Sequence, residues 1–489
     1  MQKIDHFLKT PYYFQWLIVF FALHSYSEFI GDVTFSSLLL LILKVSIAGW
    51  ILFFVCEKIY KNRNKAALCL TVILFCYFFF GAIQDYLRTI PALVPLSSIR
   101  VYFLINIVVC AIAFTGLFLY KKSLLRITKW LNLLFIVYIT YDVAVIVWKQ
   151  AMPDKKMVGP AVSITPLPQA ASKPDIYFIL LDEYLGTAGL REYFNYDNAR
   201  LESFLKQNGF YVCSKPVSNY SYTVYSMASL FSMGYIDSLC ASAGRKNVYR
   251  EMIGLINHNK TWTYLQQLHY TINNLSPFVV EGQHPKISFN LVPSGIDLIT
   301  DKTAYNRIIK NLPYGDLLTD LRLNYLSKFL YKKLDEENEG MMKAALSPKR
   351  INQPTFTYLH LIMPHRPYMY DSTGQWPAKQ YGGSKAAVKD SLYLNYLVYA
   401  NNRITMFIDQ LYRETNGKAV IMLMSDHGYR REDGRNPHAI RFSTLNAIYL
   451  PTRDYHLWYD SVSNVNQFPL LFNTIFSQQI PLQKDSCHF

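Results

Sequence analysis

Residues Ile176–Glu183 read IYFILLDE, and residues Ala419–Gly428 read AVIMLMSDHG. Each is a continuous apolar run of strand length that stops on charged groups. A run without polar alternation fits a strand buried on both faces, as in a parallel sheet covered by helices. Phe356–Ile362 is a third such run, and Phe442–Leu450 a fourth. Between them, Asn198–Gln207, Tyr225–Ile236 and Ala386–Tyr412 place apolar residues at helical spacing. The alternation predicts an α/β domain with a mostly parallel sheet sandwiched by helices. In open α/β sheets function collects beyond the carboxyl ends of the strands. Asp182-Glu183 and Ser425-Asp426-His427-Gly428 are therefore the first places to look for chemistry. Residues 243–350 carry weaker signals and read as an insertion or cap.

The N-terminal part is of another kind. The chain has 489 residues, 51% of them hydrophobic, and a formal net charge of +15. Five apolar stretches fall in the first 150 residues: Tyr12–Phe29, Ser36–Val55, Ala66–Ala82, Val101–Tyr120 and Trp130–Trp148. Each approaches the roughly 20 residues a helix needs to cross a bilayer. No small-residue cleavage site follows the first, so it does not read as a removed signal peptide. Lys3 and Lys9, then Lys58, Lys61, Arg63 and Lys65, then Lys121, Lys122, Arg126 and Lys129 occupy alternate connections, while the others hold Arg88 and Arg100. Lys and Arg favour the cytoplasmic side. The expectation is a multi-pass protein of the inner or plasma membrane, with a cytoplasmic N-terminus and a periplasmic or extracellular C-terminal domain. The division expected is a transmembrane domain at 1–150, a Pro-rich linker at 151–173 and a soluble domain at 174–489. The basic excess thus reads as topology, and no nucleic-acid-binding motif accompanies it. Cys56, Cys69, Cys76 and Cys110 fall in or beside apolar segments; a Cys213–Cys240 disulfide is left open, and no CxxC metal pattern occurs.

Four elements of the soluble half carry the chemical expectation. Carboxylate and imidazole together suit Zn²⁺ or Mn²⁺, so Asp182, Asp426 and His427 are candidate metal ligands, with Glu183 the alternative to Asp182. Gly428 permits a sharp backbone path around an ion. Thr223 stands just before a helical pattern; it is either a simple N-cap or a hydroxyl at an anion-attracting helix terminus, activated by the ion as a nucleophile and joining its ligand set. His360 and His365 follow the third strand, and His438 lies eleven residues past His427. These three are candidates for contact with substrate or a second metal.

An apolar strand ending in an acid, a Thr before a helix, a Pro-His-Arg-Pro-Tyr loop, then Ser-Asp-His-Gly and a later His resemble, in that order, the alkaline phosphatase/sulfatase superfamily. The apolar N-terminal half resembles its membrane branch, which includes lipoteichoic acid synthases and lipid A phosphoethanolamine transferases. The resemblance implies a divalent metal (zinc or manganese, with calcium or magnesium as alternatives) on Asp182, Thr223, Asp426 and His427. It implies Thr223 as a covalently modified nucleophile, and His365 and His438 near the substrate. The formylglycine motif of sulfatases proper, C/S-x-P-x-R, is missing: Cys213-Ser-Lys-Pro-Val does not fit it. The expected activity is transfer of a phospholipid-derived phosphoryl headgroup to an envelope glycan or lipid. The alternatives are a hydrolase of sulfate or phosphate esters and a non-catalytic membrane sensor.

Overall fold

A computed structural model describes residues 2–152, 173–242, 244–286, 293–314, 324–347, 353–376, 386–431 and 437–488. Most of the linker expected at 151–173 lies outside the described residues. The chain forms two compact units: Met1–Lys156 with Asn290–Leu317, and Met157–Phe289 with Leu318–Phe489. Part of the stretch read as an insertion or cap therefore belongs to the N-terminal unit.

That unit contains α1 (Gln2–Lys9), α2 (Tyr13–Glu28), α3 (Phe35–Tyr60), α4 (Arg63–Phe78), α5 (Phe80–Arg88), α6 (Ile99–Leu119) and α7 (Leu125–Ala151). Among the described residues, α3, α6 and α7 are long and apolar enough to cross a membrane, and α4 with α5, bent by 54°, passes as a fourth span. By length and composition this gives three or four candidate spans, and the first of the five expected does not reach span length. α2 has 16 residues, about 24 Å of helix, short of a hydrocarbon core of about 30 Å. It is wrapped by its neighbours: Tyr13, Phe14, Leu17, Ile18 and Ala22 are buried against residues of α3, α4 and α7. The polar His24 and Ser27 near its end are satisfied: Ser27 donates to the His24 carbonyl of the same helix at 2.7 Å and His24 Nδ1 meets Asp142 Oδ1 of α7 at 3.0 Å. By contrast α3 and α6 expose Leu39, Leu43, Ile47, Ile51, Leu104, Ile107 and Ile112, the pattern of helices whose solvent is lipid.

The break between α4 and α5 has a local cause. The Gly81 amide donates to the Lys302 carbonyl at 2.7 Å. A Cβ at Gly81 would stand 2.5 Å from Arg307 Nε and 2.9 Å from Lys302 Cα. Arg307 makes a forked ion pair with Asp85, at 3.1 and 2.6 Å. The Asn290–Leu317 segment thus docks where the span bends, and an inserted group is an ordinary origin of a kink. The basic connections meet at one end of this unit: Lys129 bonds Asp5 at 2.6 Å, Asn132 donates to the Leu8 and Thr10 carbonyls, and Lys65 reaches the Phe118 carbonyl.

In the second unit β1 (Ile176–Leu181) sits inside a six-stranded sheet with β2 (Tyr211–Val212), β3 (Thr271–Leu275), β4 (Thr355–Leu361), β5 (Val420–Ser425) and β6 (Asn446–Tyr449), in the order β2-β6-β5-β1-β4-β3. β3, β4, β1 and β5 are parallel; β6 runs antiparallel to β5 and β2 antiparallel to β6. The expectation of a mostly parallel sheet holds, with an antiparallel edge made partly from the Phe442–Leu450 run. β1, β4 and β5 are buried along their whole lengths, which is why they read as unbroken apolar runs. β3, with sequence TINNL, was not legible: Asn274 is fully buried and donates to the Phe278 carbonyl at 2.8 Å, so tertiary hydrogen bonds override a poor strand propensity. Helices α8 (Thr187–Phe194), α9 (Ala199–Gln207) and α10 (Thr223–Ser232) follow β1. Phe231 of α10 packs on Phe178 of β1 and on Tyr358, Trp262 and Phe468, which anchors that helix to the sheet. Cys213 is a buried free thiol.

Candidate active site

The strand register builds the site. Leu181 pairs with Ser425 on one side and Leu361 on the other. The next residues, Asp182 and Asp426, therefore leave the sheet level with one another. Just past β1 the chain turns through Glu183, whose φ is +61°, a left-handed conformation that costs a non-glycine residue on the order of 1 kcal/mol. The turn is held from several directions. The Glu183 amide donates to Asp426 Oδ1 at 3.0 Å, and Tyr393 OH both donates to the Glu183 carbonyl and accepts from the Leu185 amide, each at 2.9 Å. The His365 amide donates to the Asp182 carbonyl at 3.1 Å, which ties the loop after β4 to the same turn.

Gly428 answers for the β5 loop. A Cβ there would meet the Ile440 carbonyl at 2.1 Å and the Ser443 carbonyl at 2.5 Å, and the Gly428 amide donates to the Arg441 carbonyl at 2.8 Å. Glycine is required at this position for close backbone approach.

Asp182, Asp426 and His427 offer ligand atoms that all lie within 4.8 Å of one another, and all three residues are buried. Their chemistry fits a divalent cation. Asp182 Oδ1 and Asp426 Oδ2 are buried acceptors without a hydrogen-bond partner. Buried anionic oxygens left unpaired are costly unless a cation meets them. His427 Nδ1 lies 2.8 Å from the Gly428 carbonyl, an acceptor that fixes the ring proton on Nδ1 and leaves the Nε2 lone pair free. That Nε2 stands 3.3 Å from Asp426 Oδ2. Burial, and then the Asp426 carboxylate, push the Asp182 carboxyl up to about 7. Burial works on Asp426 in the same sense, but the His427 and His360 rings, the Glu183 amide and the Thr223 hydroxyl outweigh it and hold its carboxyl below the ordinary value. The two acids of one buried site are thus separated in acidity, as interacting carboxylates must be.

Thr223 is brought to this cluster. It is the first helical residue of α10; Tyr222 holds the N-cap position, with no side-chain cap hydrogen bond. The Thr223 hydroxyl is therefore not a cap. Its Oγ1 lies 3.3 Å from His427 Nε2.

The three other histidines separate. His360 is fully buried, with Nδ1 2.8 Å from Tyr358 OH and Nε2 3.6 Å from Asp182 Oδ2. Burial lowers its pKa to about 4, and its Nε2 faces the back of Asp182. That position gives it no surface for substrate, contrary to expectation. His365 is partly open, with Nδ1 2.6 Å from the Arg366 carbonyl and Nε2 3.7 Å from Glu183 Oε2. His438 is exposed at the start of the His438–Phe442 helix, its ring 4.6 Å from that of Phe442. It is not one of the three residues whose ligand atoms cluster, although the helix it begins packs its backbone against Gly428, next to His427.

Several positioning residues were not legible in the sequence. Asn464 Nδ2 donates to the Ser425 and Asp426 carbonyls at 3.1 and 3.0 Å, and Ser226 Oγ donates to the Asp426 carbonyl at 2.6 Å. Ser226 lies one helical turn after Thr223, so the helix that displays the threonine also grips the β5 loop. Nothing local in Asn464-Val465-Asn466 announces that role.

The profile of the family described as Sulfatase matches residues 203–468, more than half of the chain. The match takes in Thr223, Asp426 and His427 and begins after Asp182. No curated protein matches significantly. Among solved structures, lipooligosaccharide phosphoethanolamine transferase A of Neisseria meningitidis is similar at 13% identity over 97% of this chain and 95% of that one, with a TM-score of 0.39. The C-terminal periplasmic domain of phosphoethanolamine transferase EptC from Campylobacter jejuni is similar at 14% identity over 65% and 94%, with a TM-score of 0.37. Phosphonate monoester hydrolase of Agrobacterium radiobacter is similar at 10% identity over 63% and 74%, with a TM-score of 0.39. On the extent of the family match, the chain belongs to the sulfatase family, and it is an enzyme of the alkaline phosphatase/sulfatase superfamily.

Proposed function

We propose that this enzyme transfers a phosphoryl headgroup from a phospholipid through a covalent Thr223 intermediate. The observation that carries the reading is the placement of the Thr223 hydroxyl 3.3 Å from His427 Nε2, beside two unpartnered carboxylate oxygens. Asp182, Asp426 and His427 would hold a zinc or manganese ion, with Thr223 completing the set. Such an ion supplies Lewis acidity toward the phosphoryl oxygens and lowers the pKa of a neighbouring hydroxyl.

In the first step the Thr223 Oγ–P bond forms, the ester P–O bond breaks, and the departing alcohol carries away a proton equivalent to that lost by the threonine. In the second step an acceptor hydroxyl attacks phosphorus, the Oγ–P bond breaks and Thr223 recovers its proton. The free amides at the start of α10 suit the anionic group on Oγ1. Glu183 and His360 orient the metal ligands, and His365 is the open histidine available to substrate or a second ion. A threonine nucleophile without a formylglycine motif favours phosphoryl over sulfuryl transfer.

The donor is taken as a lipid because the catalytic unit is continuous with apolar membrane helices. The gathering of Lys65, Lys129 and their neighbours at one end of the helical unit favours a cytoplasmic N-terminus, and an odd number of crossings would then put the catalytic unit outside. The acceptor would be an envelope glycan or lipid.

Intact-mass analysis of the full chain after exposure to a lipid extract tests the reading. A phosphoryl-headgroup adduct mapped to Thr223, missing in Thr223→Ala, is expected. Turnover without an adduct, or an undiminished rate in Thr223→Ala, overturns it. Product analysis with and without an added polyol separates transfer from hydrolysis.

A further inference from the structure

Beside Thr223 in the chain, Tyr222 carries a cation that no carboxylate of the described residues neutralises. The Arg430 guanidinium lies 4.3 Å from the centroid of the Tyr222 ring, and Tyr222 immediately precedes Thr223. Tyr222 is 58% exposed, so the pair is at the surface next to the proposed nucleophile. Arg430 is fixed there. Its amide donates to Glu183 Oε1 at 2.9 Å, and its neighbour Tyr429 is anchored by a 2.7 Å hydrogen bond to Asp390.

The adjacent Arg431 gives the contrast. Its Nη1 lies 3.6 Å from Asp390 Oδ2 and 3.2 Å from Tyr193 OH. Arg430 has no carboxylate partner among the described residues, and its Nε is buried without a hydrogen-bond partner. The nearby Glu183 carboxylate is already engaged, by the Arg430 amide on Oε1 and opposite His365 on Oε2.

We propose that Arg430 is a specificity-determining residue that selects phosphodiesters with a polyol headgroup and rejects those with an ammonium headgroup. This rests on the reading of Thr223 as nucleophile. A phosphorus bound at Thr223 Oγ1 would have a substituent within reach of the residue before it, Tyr222, on which Arg430 is stacked. Arginine offers several N–H donors in a rigid plane to hydroxyl oxygens. It repels a second cation, and because the Tyr222 face is covered by the guanidinium, that ring is not available for cation–π contact with an ammonium group. A flexible lysine would keep the charge but lose the planar stack.

The test uses the full chain in detergent, loaded with manganese, with dihexanoylphosphatidylglycerol and dihexanoylphosphatidylethanolamine as separate substrates. Dihexanoylglycerol release is followed for turnover and intact mass for the Thr223 adduct. The wild type should prefer the glycerol headgroup. Arg430→Gln should cut that preference by about tenfold, the scale of one partly screened charge contact, through KM more than kcat. Arg430→Glu should reverse it, and Arg430→Lys should restore part of it. Unchanged metal content and melting temperature exclude a folding defect.

A headgroup ratio that stays the same in Arg430→Gln and Arg430→Glu, a wild type that prefers the ammonium lipid, or turnover of neither lipid overturns the proposal. Turnover without an adduct on Thr223 overturns the nucleophile reading instead, and the ratio still judges Arg430.

Discussion

The Glu183 amide donates to Asp426 Oδ1 at 3.0 Å across 243 positions of sequence. This one bond joins the turn after β1 to the turn after β5. It holds one oxygen of Asp426 and leaves the other, Oδ2, buried and unpartnered. The geometry of the candidate ligands thus depends on a backbone conformation at Glu183 as well as on the side chains themselves.

Replacing Thr223 separates chemistry from metal binding. Thr223→Ala should lower kcat by at least about a thousandfold, as loss of a covalent nucleophile does. The metal content, measured by elemental analysis, should fall much less, because Asp182, Asp426 and His427 remain. Thr223→Ser should keep measurable turnover and form the same adduct.

The residues behind Asp182 should tune the ion without touching substrate. His360 Nε2 faces Asp182 Oδ2 at 3.6 Å and Tyr358 OH holds the opposite ring nitrogen at 2.8 Å. His360→Gln should weaken zinc binding by about 10–100-fold, the usual effect of removing an outer partner of a ligand. Tyr358→Phe should act in the same direction and less strongly. Competition with a zinc-chelating dye measures both, and an affinity equal to wild type in His360→Gln would show that the ring is only packing.

Metal affinity should depend on pH through Asp182. Its carboxyl is raised from 3.8 to about 7, chiefly by burial, so below that pH the ion must displace a proton. Binding should therefore weaken as pH falls from about 7 toward 5, approaching about tenfold per unit with about one proton released per ion from this group. Above about pH 8 this contribution disappears. Calorimetry in buffers of different ionisation enthalpy counts the protons. Asp182→Asn removes this proton along with the charge, and with it the dependence.

Gly428→Ala tests the close approach of the β5 loop to the Ile440–Ser443 backbone. The new methyl would meet carbonyl oxygens at 2.1 and 2.5 Å. Displacing that backbone should cost about 1–3 kcal/mol and misplace His427. A melting temperature lowered by several degrees, together with weakened metal binding, is expected. Ser226→Ala, which removes the 2.6 Å bond to the Asp426 carbonyl, should give a smaller loss of about 1 kcal/mol.

How much of this was readable in advance can be followed through particular residues. The runs IYFILL and VIMLMS became β1 and β5 because total burial leaves an unbroken apolar record in the sequence. Asp182, Asp426 and His427 were legible because charged groups at the end of such runs are costly without a reason. The first expected span, Tyr12–Phe29, became the 16-residue α2 with Tyr13, Phe14, Leu17 and Ile18 buried by protein, a difference that hydropathy does not register.

The sequence by itself determined the two chemistries of this chain, an apolar helical half and an α/β half whose strands end in carboxylate and imidazole groups. Both follow from which side chains water rejects and at what period. The tertiary structure decided what those groups do together. Strand register set Asp182 level with Asp426, the α10 N-terminus carried Thr223 to His427, and the backbone after His438 closed on Gly428. It also placed Arg430 on the Tyr222 ring. Each of these depends on contacts between residues far apart in the chain, whose distances no local pattern encodes.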